Sequence, residues 1–441
     1  MIDNFLNYIE AESLIKKNDK VLLAVSGGID SVVLSHFFHQ TSFNFGIAHC
    51  NFQLRGKESD DDETFVKLLA KKLNKPFFCK HFNTNKYANE RGISTQMAAR
   101  DLRYSWFSDL LKSEGYSKIA TAHHLNDSIE TTLFNFSKGT GISGVRGIMP
   151  ISNVLIRPLL SISRLQIEQF AKEQNIEWRE DSSNKKDKYA RNHIRLTVIP
   201  ELKKINESLE STSISTFERL RDVENIFKNE VEKFRNEFVK KENNLTTITI
   251  GRASNIIGFR TILHEILKDF GFNFNQTKEI IKRKNESGKF FLSPIYQLNI
   301  DRDKFIISEN KEIDPNIEFE INRGDKSITF PYGHLDFDWD KLRPASFSRD
   351  NNIAYLDVDK LKFPLKLRKW KTGDFFQPLG MKHKKKLSDF MIDRKIPLNL
   401  KEQVMVIESA DKIVWVVGHQ PDDRFKLTDH TSEICCLEFT S

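Results

Sequence analysis

The chain has 441 residues, which is too many for one hydrophobic core, so we expect two or three domains. Hydrophobic residues make up 39% and charged residues 29%, an ordinary composition, and no apolar run approaches the roughly 18 residues that a membrane span needs. The net charge of +7 is modest but favours a polyanionic partner.

The four cysteines are Cys50, Cys79, Cys435 and Cys436. They show no CxxC spacing, which argues against a disulfide scaffold, a zinc site and an iron–sulfur cluster. We therefore expect reduced thiols, as in a cytoplasmic protein. The first residues lack the basic and apolar stretches of a secretory signal, which agrees with that location.

Short apolar runs and helical patterns alternate in the first 120 residues. Strands are predicted at residues 21–25, 43–48, 76–82 and 118–122, with helices at 31–38 and 60–73. This alternation predicts an α/β domain in which a parallel sheet carries helices on both faces. Ligands bind beyond the carboxyl ends of the strands in such sheets, so we expect a site there.

The character of the sequence changes near Pro200. Residues from about 208 to 285 are helix-rich and highly charged, and short strands follow from residue 290 onward. We predict three domains: an α/β domain at 1–205, a mostly helical domain at 206–310 and a small α+β domain at 311–441.

A glycine-rich loop connects the first predicted strand to the first predicted helix. It consists of Ser26, Gly27, Gly28, Ile29, Asp30 and Ser31. The glycines let the backbone approach a ligand, and the N–H groups at the helix start attract an anion. A carboxylate at Asp30 would repel phosphate unless Mg²⁺ lay between them. We therefore predict that the loop binds phosphate groups together with a magnesium ion.

Two other nucleotide motifs are excluded. No GxxxxGK[ST] loop occurs in the chain. The GxGxxG at residues 139–144 follows a predicted helix, whereas a dinucleotide fingerprint must follow a strand and begin a helix.

A second polar motif follows the fourth predicted strand. His123, Asp127 and Glu130 lie four and three residues apart, so a helix would bring them to one face. That face would stand beside the glycine-rich loop. His123 and Asp127 are therefore candidate acid–base groups.

The SGGxDS loop resembles that of the N-type ATP pyrophosphatases, and further motifs make the resemblance more specific. The motifs are HHLNDSIET at 123–131, QMAARDLRY at 96–104, RPLL at 157–160, WREDSSN at 178–184, RNHIR at 191–195 and the segments at 370–381, 385–390 and 423–426. Together they resemble the tRNA(Ile)-lysidine synthetase family, strongly over residues 20–200 and 365–430 and weakly over 205–285.

The resemblance implies an ATP-dependent ligase built on a PP-loop ATP pyrophosphatase domain. Members of the family attach L-lysine to C2 of the wobble cytidine of isoleucine tRNA with the anticodon CAU. ATP first adenylates O2 of the base with release of pyrophosphate, and lysine then displaces AMP. The implied cofactors are ATP and Mg²⁺, and the implied partners are this tRNA and L-lysine. A homodimer is compatible with the sequence.

The resemblance also implies roles for individual residues. The whole glycine-rich loop and Arg100 would bind ATP, while Asp30 and Asp127 would hold the metal. Asp30, His123, Asp127 and Arg195 would be catalytic, with His123 and Asp127 accepting the proton of the lysine amine. Arg100 and Arg195 would neutralise phosphate or the lysine carboxylate. The two later domains, with the basic cluster at 382–386, would bind tRNA.

The sequence departs from the family pattern in the helix that follows His124. Asn126 stands where many members have Asp, and Ser128 where Gln is common. Asn135 and Lys138 occupy positions that are often Arg. These departures favour Asp127 as the functional carboxylate of this motif.

Two other functions stay open at this point. A sulfur-transferring tRNA enzyme of the same fold would need paired cysteines, and Cys50 and Cys79 do not form such a pair in the sequence. A non-catalytic RNA-binding protein would not need Asp30, His123 and Asp127. Release of pyrophosphate in the presence of tRNA and lysine would distinguish these functions.

Overall fold

The computed structural model describes residues 1–180, 190–242, 244–310, 317–339, 342–343 and 346–440. The chain divides into two units, Met1–Phe227 and Lys228–Ser441. Each unit contains its own hydrophobic cores.

A six-stranded sheet forms the centre of the first unit. Its strands are β1 (Lys20–Ala24), β2 (Asn44–Asn51), β3 (Phe77–His81), β4 (Lys118–Ala120), β5 (Ile151–Ser152) and β6 (Leu155–Ile156). The order is β3-β2-β1-β4-β6-β5, and all neighbours are parallel except the β5–β6 hairpin. The four predicted strands and the parallel sheet are therefore confirmed.

Helices cover this sheet, and the last of them continues beyond Phe227, where the first unit ends. They are α1 (Ile2–Ala11), α2 (Ile29–His39), α3 (Lys57–Lys72), α4 (Thr84–Arg91), α5 (Thr95–Glu114), α6 (Leu125–Lys138), α7 (Ile142–Val145), α8 (Arg164–Glu173), α9 (Ala190–His193), a π-helical turn (Ile194–Val198), α10 (Ile199–Ile205) and α11 (Leu209–Phe238). The predicted helices at 31–38 and 60–73 correspond to α2 and α3.

Alternate residues of β1 face different cores, as the pleat of a strand requires. Leu23 packs with Phe37 in one cluster, and Leu22 packs with Phe107 in another. All four side chains are buried. A strand that is covered on both faces must be apolar at every position, which explains the continuous run Val-Leu-Leu at its centre.

After the end of α11, the second unit continues with a five-stranded antiparallel sheet. Its strands are β7 (Val239–Glu242), β8 (Leu245–Thr249), β9 (Phe290–Leu292), β10 (Tyr296–Asp301) and β11 (Lys304–Glu309), in the order β7-β8-β11-β10-β9. A 3₁₀ turn (Arg252–Asn255) precedes the helices α12 (Phe259–Lys268) and α13 (Phe274–Lys282). The helical interpretation of 206–310 omitted β7, β8 and β10. In the case of β7, the short charged run Val-Lys-Lys-Glu shows no clear period.

Two further antiparallel sheets and one pair of strands follow. Their strands are β12 (Glu318–Ile321), β13 (Ser327–Phe330), β14 (Gly333–Asp338), β15 (Ile353–Asp357), β16 (Leu365–Lys369), β17 (Phe375–Phe376), β18 (Lys385–Lys386), β19 (Met405–Ser409), β20 (Lys412–Val416), β21 (Gln420–Pro421) and β22 (Ile434–Thr440). The two sheets have the strand orders β12-β16-β19-β20-β21 and β13-β14-β22-β15, and β17 pairs with β18. The helical elements are α14 (Leu387–Asp393), α15 (Leu398–Lys401) and 3₁₀ turns at Val358–Lys360 and Asp423–Phe425. Strands alternate with short helices here, as predicted for an α+β region.

Among the helices of the described segments, none combines the length and the apolar character that crossing a membrane would require.

Candidate active site

The glycine-rich loop connects β1 to the N-terminus of α2, as predicted. Gly28 is the N-cap residue of α2, and Gly27 has a φ of 95°, a left-handed conformation that favours glycine. The Ser31 hydroxyl donates to the Gly28 carbonyl at 2.9 Å, and the Ser26 backbone N–H donates to Ser31 Oγ at 3.2 Å. Ile29 is buried in the core beneath the loop. The loop thus wraps the positive end of α2, where an anion is attracted.

A cavity of about 380 Å³ lies beside this loop. Six residues predicted from the sequence line it: Ser26, Gly28, Asp30, Ser31, His123 and Asp127. The lining also includes residues that the sequence had not predicted to belong to this site, namely Cys50, Phe52, Arg103, Phe107 and Thr121. Two polar motifs that are about 95 residues apart in the chain therefore face one cavity, because β1 and β4 are neighbouring parallel strands.

The Asp30 carboxylate is held by a cation from another helix. Arg164 Nη1 donates to both carboxylate oxygens at 2.8 Å, and Arg164 Nε donates to Glu168 at 2.7 Å. Arg164 is the first residue of α8 and lies 134 positions from Asp30 in the sequence. Sequence reasoning missed it because no local pattern connects residues so far apart.

His123 and Asp127 differ in their surroundings. His123 Nδ1 lies 2.9 Å from the Thr121 hydroxyl, and burial lowers the pKa of His123 to about 4, so its imidazole is neutral near pH 7. Asp127 Oδ2 accepts the backbone N–H of His124 at 2.9 Å in the first turn of α6. A carboxylate in a first turn is favoured by the helix dipole.

Asp30 and Asp127 approach a common imidazole. His124 Nε2 lies 3.8 Å from Asp30 Oδ1 and 3.7 Å from Asp127 Oδ2. One or two carboxylates together with phosphate oxygens are the ligands that Mg²⁺ usually takes in nucleotide sites. The two aspartates therefore fit the predicted magnesium ion, although Arg164 already shares the Asp30 oxygens.

Arg195 forms a bidentate ion pair with Glu130. Its Nε and Nη2 donate to the two carboxylate oxygens at 2.6 Å and 2.9 Å, and Nη2 lies 3.6 Å from Asp127 Oδ1. Glu130 is only 4% exposed. The hydrogen bonds to Glu130 raise the pKa of Arg195 above its usual value. Arg195 is thus a fixed cation beside Asp127, on the π-helical turn.

Arg100 lies outside the residues that line the cavity. It is exposed on α5, and its guanidinium carbon is 5.0 Å from the Tyr104 ring centroid. Arg103, one turn further along the same helix, lines the cavity and lies 5.2 Å from the Phe52 ring centroid. Both arginines belong to the QMAARDLRY motif, so the motif indicated the helix but not which arginine faces inward.

The residues that depart from the family pattern make structural contacts. Asn126 Oδ1 accepts the backbone N–H of Arg164 at 2.9 Å, and Ser128 Oγ accepts that of Ile148 at 3.2 Å. In the WREDSSN motif, the Arg179 backbone N–H donates to the Gly27 carbonyl at 3.0 Å. Residues 181–184 of that motif lie outside the described residues.

Three family models match the chain: the PP-loop domain over residues 2–202, the TilS substrate binding domain over 241–311 and the TilS substrate C-terminal domain over 365–436. The tRNA(Ile)-lysidine synthase of Parabacteroides distasonis is 39% identical, with 100% of each chain covered. That of Bacteroides thetaiotaomicron is 36% identical with 97% of each chain covered, and that of Porphyromonas gingivalis strain W83 is 34% identical with 96% of this chain and 94% of the relative covered. The chain therefore belongs to the tRNA(Ile)-lysidine synthase family of enzymes, and its first domain is an ATP-binding PP-loop domain.

Proposed function

We propose that this enzyme joins L-lysine to C2 of the wobble cytidine in isoleucine tRNA with the anticodon CAU. Cytidine O2 attacks the α-phosphorus of ATP, and the bond to pyrophosphate breaks. The lysine ε-nitrogen then bonds to C2, the C2–O2 bond breaks, and O2 leaves with AMP. The observation that carries this proposal is a cavity whose lining includes residues of the glycine-rich loop together with His123 and Asp127.

The loop is suited to the first step, in which negative charge moves onto pyrophosphate. The N–H groups at the start of α2 and the Ser31 hydroxyl stand at the cavity wall, where they can bind the leaving group. Asp30 and Asp127 would hold Mg²⁺, which neutralises phosphate charge when it is bound. Arg164 keeps Asp30 in place before the nucleotide arrives.

The second step needs a lysine amine without its extra proton. The free ammonium has a pKa of about 10.4, so a group in the cavity must accept a proton. Asp127 is the favoured acceptor, because its carboxylate faces the cavity. His123 has a pKa of about 4, which makes it a weak base but a good neutral hydrogen-bond partner for the amine.

The target base must leave the anticodon stack to reach this cavity. Phe52 lines the cavity and offers an apolar surface to a base, while Arg103 offers a cation to a phosphate or to the lysine carboxylate. The ATP-binding role of Arg100 stays a prediction.

Sulfur transfer is the weaker alternative. Cys50 lines the cavity, but burial raises the pKa of its thiol to about 12, with Arg103 acting in the opposite direction. A thiol that keeps its proton at neutral pH is a poor nucleophile for sulfur transfer. The homodimer, the cytoplasmic location and domain boundaries at 205 and 310 remain predictions.

Incubation of the purified enzyme with ATP, Mg²⁺, L-lysine and an isoleucine tRNA transcript bearing CAU tests the proposal. Nuclease digestion and mass spectrometry should find one lysine residue added to the wobble cytidine. Without lysine, pyrophosphate should be released and the adenylated tRNA should accumulate. A methionine tRNA with the same anticodon is the matched control and should stay unmodified. Pyrophosphate release without any lysine-dependent change in the tRNA would contradict the proposal.

A further inference from the structure

Three different metal-binding side chains meet at the edge of the sheet in the first unit. Cys79 and His81 lie on the edge strand β3, and Glu63 lies on α3, which packs against that strand. One ligand atom from each, the sulfur, an imidazole nitrogen and a carboxylate oxygen, lies within 4.8 Å of both others. None of these three described residues belongs to the lining of the catalytic cavity.

The backbone explains why these residues meet. Cys79 and His81 are two positions apart on a strand, so their side chains leave the same face. The helix α3 covers that face and directs Glu63 between them. The absence of a CxxC spacing argued against a zinc site, but that argument applies to sites built mainly from cysteine pairs. A Cys-x-His strand completed by a helix carboxylate has no such signature.

The Glu63 carboxylate is the centre of this group. Glu63 Oε2 lies 2.6 Å from His81 Nε2 and accepts from Asn51 Nδ2 at 2.9 Å, and the Cys79 thiol also hydrogen-bonds to Glu63. Asn51 is buried and donates to Asp60 at 3.0 Å as well. A buried amide that orients a carboxylate is the usual outer partner of a metal ligand.

We infer that Glu63, Cys79 and His81 bind one zinc ion, which connects α3 to the edge strand of the catalytic sheet. The ion would replace the thiol proton and the proton between His81 and Glu63, and both protons would pass to solvent. Thiolate and imidazole select zinc over magnesium or calcium. Three protein ligands leave a fourth tetrahedral position for water. His81 is exposed, so an ion can reach the site from solvent.

Cobalt is the probe of choice, because a cobalt–thiolate bond gives a near-ultraviolet charge-transfer band that carboxylate sites elsewhere cannot produce. The full-length protein, stripped of metal and kept reduced, should bind Co²⁺ with this band saturating at one equivalent. Zn²⁺ should then displace Co²⁺ and abolish the band, since such sites prefer zinc. Added Zn²⁺ should also raise the melting temperature of the wild-type protein.

Variants locate the site. Cys79→Ser should lose the band and the zinc-dependent rise in melting temperature. His81→Ala and Glu63→Gln should weaken Co²⁺ affinity by at least about 10-fold, the lower end of what an outer partner contributes. Cys50→Ser, on the neighbouring strand, and His39→Ala, on the surface, are matched controls that should retain both signals.

Three results would overturn the inference: no charge-transfer band in the wild type, equal Co²⁺ affinity in His81→Ala and wild type, or loss of the band in Cys50→Ser. His81→Ala changes an exposed side chain, so it is the variant least at risk of misfolding. Retained lysidine formation would show that the Glu63, Cys79 and His81 variants are folded. Cys50 lines the catalytic cavity, so for Cys50→Ser an unchanged melting temperature in the absence of zinc shows this instead.

Discussion

Replacing Arg195 with alanine should lower the opening free energy of α6 by about 1.5–3 kcal/mol. Two charge-assisted hydrogen bonds connect Arg195 to Glu130, at 2.6 Å and 2.9 Å, and each such bond contributes about 1.5–3 kcal/mol. The Arg195 side chain is 44% exposed, so water can replace part of the interaction, and we reduce the sum by about half. The half of the free energy that is not recovered from water is lost because the carboxylate of the buried Glu130 no longer has a cationic partner.

Native-state hydrogen exchange of the amides in Leu125–Lys138 measures this opening free energy directly. A double-mutant cycle isolates the pair. Glu130→Gln keeps the side-chain shape and should cost about 1–2 kcal/mol. The double variant should cost less than the sum of the single changes, by about 1 kcal/mol or more, because the pair is then already broken.

Additivity within about 0.5 kcal/mol would refute the idea that the two residues stabilise one another.

The same variants also distinguish a structural role of Arg195 from a catalytic one. Arg195 also lies 3.6 Å from Asp127, so we expect lysine transfer to stay slow in the double variant even where stability is partly recovered. Recovery of activity together with stability would show that Arg195 acts only by holding Glu130.

Other predictions address the remaining site residues and the C-terminal region. Asp30→Ala should abolish tRNA adenylation, because it removes a metal ligand and frees Arg164, while filter binding of tRNA persists. Alanine at Asp127 should slow single turnover by about 10²-fold or more, the usual size of an acid–base contribution. Alanine at His123 should slow it less, because it removes a neutral hydrogen-bond partner of the amine rather than a base. Burial lowers the pKa of His123 from 6.5 to about 4 in the folded protein. The contribution of neutral His123 to stability is therefore complete above pH 6.5 and is lost as the pH falls towards 4. His123→Gln should for this reason flatten the decline of the melting temperature between these pH values. Alanine at all three lysines of residues 384–386 should raise the KM for tRNA and reduce the slope of log affinity against log salt by somewhat less than one per lost phosphate contact.

Matched changes serve as controls. Asp30→Asn keeps the shape of the side chain, so near-normal turnover in it or in the alanine variant would rule out a metal-binding role. Unchanged single-turnover rates would show that His123 and Asp127 are structural. Alanine at Lys71 and Lys72, which are exposed on α3, provides a control for the loss of positive charge from the surface. Lys385 differs from these two lysines because it forms an ion pair with Asp393. If the plots of log tRNA affinity against log salt concentration had the same slope and intercept in the wild type and the triple variant, these lysines would not bind tRNA.

Much of the fold could be predicted because its signals are local. The apolar run at 21–25, the glycine-rich loop and the start of α2 are contiguous, so one short segment specifies a strand, a turn and a helix. The strands β7, β8 and β10 were missed for the opposite reason. Their residues become strands by pairing with β11 and with one another, and only two buried side chains, Thr246 and Ile248, mark β8.

The candidate site also has features that the sequence predicts and others that only the tertiary structure shows. The sequence alone determined the family and the glycine-rich loop, because their signals lie in contiguous stretches of the chain. It also predicted that one helical face carries His123, Asp127 and Glu130, but α6 begins at Leu125, so His123 lies before the helix and only Asp127 and Glu130 belong to it. Only the tertiary structure decided that Arg164 holds Asp30, that Arg103 rather than Arg100 faces the cavity, and that Glu63 meets Cys79 and His81. These side-chain contacts depend on the orientation and position in which each helix packs against the sheet. That packing is set by the whole core, and no local pattern in the chain records it.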